Sequence, residues 1–199
     1  MRFEQMVYFG AKDGTMASWR SWIARRILQW MGWRIEGEEN AKPLQKAVFA
    51  VGPHTSNWDF IIAILVREAT GIPSRYLAKH TLFRPPLGWL MRALGGYPVD
   101  RSRPQGLVRT VVEIFHKEPH FLLAITPEGT RKKVDKLRSG FYYIAREARV
   151  PIVPVGLDYG KKLVRFYTPI DAQRDREEIL EEVTRIFRSH RGKHPHQSI

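Results

Sequence analysis

Cysteine is absent from all 199 residues, which excludes disulfides, thiolate nucleophiles and Cys-based zinc sites. Long apolar runs are absent too. No stretch of about 18 apolar residues occurs, so a membrane-spanning helix is not expected. Met1–Gly10 has neither a long apolar core nor a small-residue cleavage site, so no secretory signal is read there. There is no internal repeat, no low-complexity stretch and no linker that would split the chain. Acidic side chains are scarce beside basic ones, with 20 Asp+Glu against 33 Lys+Arg and a formal net charge of +13. That imbalance favours an anionic partner, either nucleic acid or an anionic lipid surface. The length fits one domain, or one with a small appendage, large enough for a sizeable core.

Six tryptophans are present, and several fall in one segment. Ala17 to Arg34 reads as an amphipathic helix with Ser18 as N-cap. Trp19, Trp22, Ile23, Ile27, Trp30 and Met31 recur at three- and four-residue steps and form one apolar stripe. Arg20, Arg25, Gln29 and Gly32 take the other side, with Arg26 and Arg34 near the boundary. Tryptophan prefers the headgroup level of a bilayer and arginine attracts anionic lipid, so the composition suits a helix lying in the interface. The same stripe also suits a surface helix docked on the protein's own core.

Beyond it, strand and helix patterns alternate. Strands are expected at Ala47–Gly52, Arg75–Lys79, Tyr97–Val99, Phe121–Thr126, Ile152–Leu157 and Leu163–Tyr167. Helices are expected at Ser56–Thr70, Pro85–Leu94, Gly106–Lys117, Phe141–Arg149 and Arg174–His190, and Arg191–Ile199 reads as a frayed basic tail. The alternation argues for a single layered α/β domain with a mostly parallel mixed sheet flanked by helices, preceded by the amphipathic helix.

His54 follows a strand and Gly52-Pro53, at a strand-to-helix corner where α/β folds place active groups. Asp59 lies five residues on. A five-residue step turns about 140° on a helix, so the two share no helix face. They can meet if His54 lies in the loop and Asp59 in the first turn, with Ser56 as the cap. A carboxylate can then orient an imidazole as a general base. Asp59 also suits the capping-box position three residues after Ser56, where it would favour the helix dipole. Downstream, Thr126-Pro127-Glu128-Gly129-Thr130-Arg131 reads by itself as a glycine turn followed by a solvated charge run. Gly95-Gly96-Tyr97-Pro98-Val99-Asp100-Arg101 and Val150-Pro151-Ile152-Val153-Pro154-Val155-Gly156 read as a turn with a short strand and as a buried strand.

In this order the four segments resemble the glycerolipid acyltransferase superfamily, which includes the 1-acylglycerol-3-phosphate acyltransferases. The family's His-four residues-Asp motif is matched by His54 and Asp59, and its Gly-rich motif by Gly96 through Arg101. Its Pro-Glu-Gly-Thr-Arg motif is matched by Pro127–Arg131, and its apolar Pro-containing strand by Val150–Val155. Two departures bear on the acceptor: Pro53 stands where many members have Asn, and Lys132 where many have Ser.

The resemblance implies transfer of a fatty acyl group from acyl-CoA or acyl-carrier protein to a hydroxyl of a lysophospholipid, with no cofactor and no metal. It implies His54 as base, Asp59 orienting it, and Arg101, Glu128, Gly129, Thr130 and Arg131 binding the acceptor. The two arginines would clamp a phosphate, and Glu128 would organise them or bond a glycerol hydroxyl. Leu82, Phe83, Leu87, Trp89, Leu90 and Leu94 are candidates for an acyl groove or for ordinary core. His80, His116 and His120 have no assigned partner, and a metal role for His190, His194 and His196 lacks support. Residues 1–40 are read as a membrane-associating segment, contacting lipid through Trp19, Trp22, Arg25, Arg26 and Trp30, and 41–199 as the acyltransferase domain. The expected location is peripheral, on the cytoplasmic face of an anionic membrane. The same chemistry on another acceptor, an amino-acid lipid or glycolipid intermediate, stays open. A nucleic-acid-binding protein is disfavoured, because the basic residues are dispersed and no recognition motif appears.

Overall fold

The computed structural model describes residues 14–99 and 106–199. The chain runs α1 (Gly14–Trp30), β1 (Arg34–Glu36), β2 (Lys46–Gly52), α2 (Trp58–Thr70), β3 (Ser74–Lys79), α3 (Gly88–Ala93), β4 (Gly96–Val99), α4 (Leu107–Lys117), β5 (Phe121–Ile125), α5 (Gly140–Ala148), β6 (Ile152–Asp158), β7 (Leu163–Phe166) and α6 (Arg176–Arg188). The described strands form one sheet in the order β1-β7-β6-β2-β5-β3-β4. All neighbours are parallel except β6 and β7, which gives the mostly parallel mixed sheet expected from the alternation.

Central β2 is buried on both faces, which explains why it reads as a continuous apolar run. Val48 and Ala50 join Val111, Phe115, Phe141 and Ile179 beneath α4, α5 and α6. Ala47 and Phe49 join Leu28, Trp33, Ile62 and Val66 beneath α1 and α2. In register, β2 pairs Ala50 with Ile125 of β5 and Gly52 with Gly156 of β6. Three parallel strands therefore end side by side, and the segments leaving them meet at one edge of the sheet.

The structure departs from the sequence reading in four places, the first being that α1 begins at Gly14, which puts Ser18 inside the helix and not at its cap. The first helix ends at Trp30, Gly32 two residues on adopts φ 79°, and Arg34 begins β1 instead of closing the helix. β1 lies within residues 1–40 and pairs with β7, so that segment contributes an edge strand to the sheet. Three residues are too few for a periodic signal. Arg191–Ile199 is not frayed: the Tyr159 N–H donates to the Arg191 carbonyl (2.8 Å), the His194 N–H donates to Thr55 Oγ1 (3.2 Å), and Ile199 packs on the core. These are backbone contacts and one terminal apolar contact, so the segment's basic composition gave no sign of them.

α6 carries the chain back to the site because its end is keyed into the sheet. A Cβ added to Gly52 would lie 2.4 Å from the Phe187 ring, and one added to Gly156 would lie 2.3 Å from the His190 ring. The buried His190 ring is further held by a 2.8 Å bond from Nδ1 to the Ile186 carbonyl. Gly156→Ala should therefore destabilise the fold by about 1–3 kcal/mol through overpacking, read as a lower urea midpoint at constant slope. Gly140→Ala is the control, since a Cβ there meets nothing within 4 Å; equal effects at both positions would refute the keyed packing.

Candidate active site

β2 ends at Gly52, and Pro53 leads into the corner that carries His54, Thr55, Ser56 and Asn57. Asp59 sits in the first turn of α2, and its buried carboxylate reaches back over that corner. Oδ2 accepts the backbone N–H groups of Thr55 and Ser56, each at 2.9 Å, and pairs with His54 Nδ1 at 2.9 Å. Oδ1 accepts the hydroxyl of Tyr159 at 2.7 Å. An ionised carboxylate only accepts, so the network puts the imidazole proton on Nδ1 and leaves Nε2 as the basic nitrogen. Burial pushes the Asp59 carboxyl up, but the bonds from His54, Tyr159, Ser56 and Thr55 outweigh it and hold the group below its ordinary value. Asp59 thus does both jobs its position allows, reaching back to the Ser56 N–H and holding the imidazole.

β5 lies beside β2, so the turn after it arrives next to His54. Glu128 is 2% exposed there, and its Oε2 accepts the His54 backbone N–H at 2.7 Å. Oε1 is buried and has no hydrogen-bond partner among the described residues. Burial drives the Glu128 carboxyl up to about 7; the His54 N–H and charge oppose the rise, and the Asp59 charge adds to it. Glu128 therefore grips the backbone of His54 while Asp59 grips its ring. Gly129 turns with φ 64°, close under the Arg138 guanidinium, and Thr130 Oγ1 accepts the Lys132 N–H at 3.2 Å. Exposed Arg131 crosses to α2 and donates to Asn57 Oδ1. Arg131, Lys132, Lys133, Lys136 and Arg138 give this loop a cationic, exposed surface. Arg101 lies outside the described residues.

The Acyltransferase family model matches residues 32–158, well over half of the chain and all of the elements just described. The chain belongs to the Acyltransferase family. Among its relatives, the 1-acyl-sn-glycerol-3-phosphate acyltransferase of Saccharomyces cerevisiae is 28% identical over 139 residues, covering 66% of this chain and 44% of that protein. The enzyme of the same name from Cocos nucifera is 30% identical over 144 residues, with coverages of 68% and 45%. Lysophosphatidylcholine acyltransferase 2 of Danio rerio is 28% identical over 167 residues, with coverages of 74% and 30%. The chain spans less than half the length of these relatives. The crystal structure of the 1-acyl-sn-glycerophosphate acyltransferase PlsC from Thermotoga maritima shares the fold, with a TM-score of 0.62 at 21% identity over 91% of this chain and 82% of that one.

Three side chains at this acyltransferase-family site carried no sequence signal in the motifs: Tyr159, Asn57 and Gln197. Tyr159 was the most accessible to reasoning, because it follows the end of β6, and residues just past parallel strand ends are where α/β sites form. Burial and its bond to Asp59 push the Tyr159 hydroxyl above its ordinary value, so it stays a donor.

The acyl-groove candidates lie on and around the 3-10 turn His80–Phe83 and α3. Leu82, Leu87 and Trp89 are exposed, Leu90 and Leu94 are half-buried, and Phe83 is buried. None lines the apolar cavity that reaches Asp59, which lies between α2 and the sheet against Phe49, Val51, Ile62, Val66, Val155 and Phe166. That cavity measures about 60 Å³, room for a few waters and far too little for a fatty chain. α1 docks on α2 through Ser21, Ala24 and Leu28, with Ser21 Oγ donating to the Ala69 carbonyl at 2.7 Å. Its stripe faces away, leaving Trp19, Trp22 and Trp30 exposed, the last by 89%. Arg26 is exposed beside Trp22, whereas Arg25 is engaged by Glu38 at 3.2 Å. Among the described residues no helix is long and apolar enough to cross a membrane, and no group of three His, Asp or Glu could hold a metal.

Glu128 sets a pH dependence. Its folded value of about 7 lies above the ordinary 4.5, so its contribution to stability is complete below about pH 4.5 and is lost as pH rises through 7. Glu128→Gln stays neutral and should remove that loss, about 3 kcal/mol at pH 8. Urea midpoints of both proteins at pH 5 and pH 8 test this, and parallel changes in the two would refute it.

Proposed function

We propose that the protein is an acyltransferase that moves a fatty acyl group from a thioester, acyl-CoA or acyl-carrier protein, to a hydroxyl of a lysophospholipid such as 1-acylglycerol-3-phosphate. The observation that carries this reading is the 2.9 Å His54–Asp59 pair, whose carboxylate is saturated by donors and whose Nε2 is left for a substrate. The printed names of the Saccharomyces, Cocos and Danio relatives support a lysophospholipid acceptor.

The acceptor hydroxyl attacks the thioester carbonyl carbon as its proton passes to His54 Nε2. Asp59 stabilises the imidazolium that forms. The tetrahedral intermediate then expels the thiolate, the C–S bond breaks, and the imidazolium returns the proton to sulfur. Acyl transfer is direct, so no enzyme nucleophile and no cofactor take part. Arg131, already drawn toward the start of α2 by Asn57, binds the acceptor phosphate through its guanidinium fork, and Arg101 joins it. Gly129 and Thr130 shape the turn that presents Arg131. The exposed Leu82, Leu87 and Trp89 and the aromatic face of α1 contact the lipid surface, from which the acyl chains are taken. The enzyme sits peripherally, on the cytoplasmic face of an anionic membrane.

Purified protein given labelled acyl-CoA or acyl-carrier protein and a panel of lysolipids should form a phospholipid product. His54→Ala should lower the rate by about 10²- to 10⁴-fold with the fold retained, and unchanged turnover would remove His54 as the base. Turnover restricted to amino-acid lipids or glycolipids would reassign the acceptor. In flotation with anionic vesicles, the double change Trp22→Ser and Trp30→Ser should release most of the bound protein; undiminished flotation would refute a lipid contact through α1.

A further inference from the structure

Thr55 lies between the base and its carboxylate, is 2% exposed, and is held from two directions. Its N–H donates to Asp59 Oδ2. Its hydroxyl and its carbonyl belong to the segment that follows α6. The hydroxyl accepts the His194 N–H at 3.2 Å. Gln197 faces the carbonyls of both Thr55 and Arg131, and because carbonyls only accept, the amide nitrogen must point at them. The NH₂ group then donates to the Arg131 carbonyl at 2.9 Å and to the Thr55 carbonyl at 3.1 Å. One carboxamide thus bridges the loop that carries His54 and the loop that carries Arg131.

The bridge is placed by its own segment. Gly192 is buried against Thr55, where an added Cβ would lie 2.7 Å from both Thr55 Cγ2 and Ser198 Oγ. The Lys193 ammonium stands 4.5 Å from the centre of the Trp58 ring, and the Arg191 carbonyl accepts the Tyr159 N–H. The segment therefore touches the corner after β2, the start of α2, the residue after β6 and the cationic loop. The segment itself lies outside the four motifs.

We infer that Gln197 is a positioning residue for acyl transfer, its carboxamide setting the spacing between His54 and Arg131. An acceptor held at two points, hydroxyl at His54 and phosphate at Arg131, reacts only if those points match its own length. The kinetic half of this inference rests on the lysophospholipid reading above. Glutamine suits the role because one planar nitrogen offers two hydrogens to two carbonyls. A carboxylate of the same shape would turn both contacts into repulsions between acceptors.

Wild type, Gln197→Glu and Gln197→Leu should be compared in two measurements. With 1-acylglycerol-3-phosphate as acceptor, both variants should lose about tenfold in kcat/KM, mainly through the acceptor KM. The KM for the acyl donor and the pH profile should hold, because the His54–Asp59 pair is untouched. Hydrogen–deuterium exchange, which needs no turnover, should rise together in the peptides covering 53–60 and 126–138. Acceptor kinetics within twofold of wild type, or equal rises in acceptor and donor KM, would overturn the positioning role. If wild type itself transfers no acyl group, the functional reading fails; exchange then decides the bridge alone, and unchanged exchange in either loop would overturn it.

Discussion

A buried carboxylate must be surrounded by donors, and at Asp59 that requirement organises the whole site. Taking the charge out of water is costly unless its lone pairs are filled. Here they are filled by two backbone N–H groups, an imidazole and a phenol. Each donor comes with a structural condition. The N–H groups fix the corner before α2, the imidazole bond fixes the His54 ring, and the phenol ties the residue after β6 to the same carboxylate. Changing any of these partners changes the charge balance at the residue that orients the His54 ring.

The sheet makes those conditions compatible. β2 is flanked by β5 and β6, both parallel to it, so all three strands deliver their following residues to one edge. His54, Glu128 and Tyr159 lie two, three and one residues past a strand end, which leaves little slack in their positions. At this edge stand buried Glu128, with one oxygen unpartnered among the described residues, and half-buried Tyr159, packed edge-on against Trp33 at 4.9 Å. The second contact links the turn after α1 to the carboxylate bonded to His54, so α1 and His54 share one packing chain.

What could be read from the residues followed from strong local patterns. The apolar runs of β2 and β5 identified themselves as buried strands, and the capping pattern at Ser56 put Asp59 in a first turn facing back toward His54, although the cap position falls one residue later, on Asn57, whose side chain makes no capping bond. The order of the four motifs did the rest, and the family match agrees with it. Other features had no such signature. β1 is too short to show a period. The stripe on α1 was read as a single apolar face, yet the helix docks through the small residues Ser21 and Ala24 beside it and leaves the aromatics outward. The segment after α6 looked like solvated charge because its contacts use backbone atoms, a glycine and one amide, none of which stands out in composition. Glu128 was expected to face the acceptor or its arginines; its buried bond to the His54 backbone depends on strand register, which single-sequence patterns do not reveal.

The pairing of β2 with strands far along the chain has a kinetic meaning. His54, Glu128, Tyr159 and Gln197 come from four stretches separated by about thirty residues or more, and the parallel pairs between them close large loops before any contact repays the entropy. A chain with local helices formed but β5 and β6 undocked keeps the short-range His54–Asp59 contact and lacks Glu128 and Tyr159 around it. The complete constellation around Asp59 is therefore a late property of the closed sheet, and the state of the corner reports on global folding more sharply than helix content does.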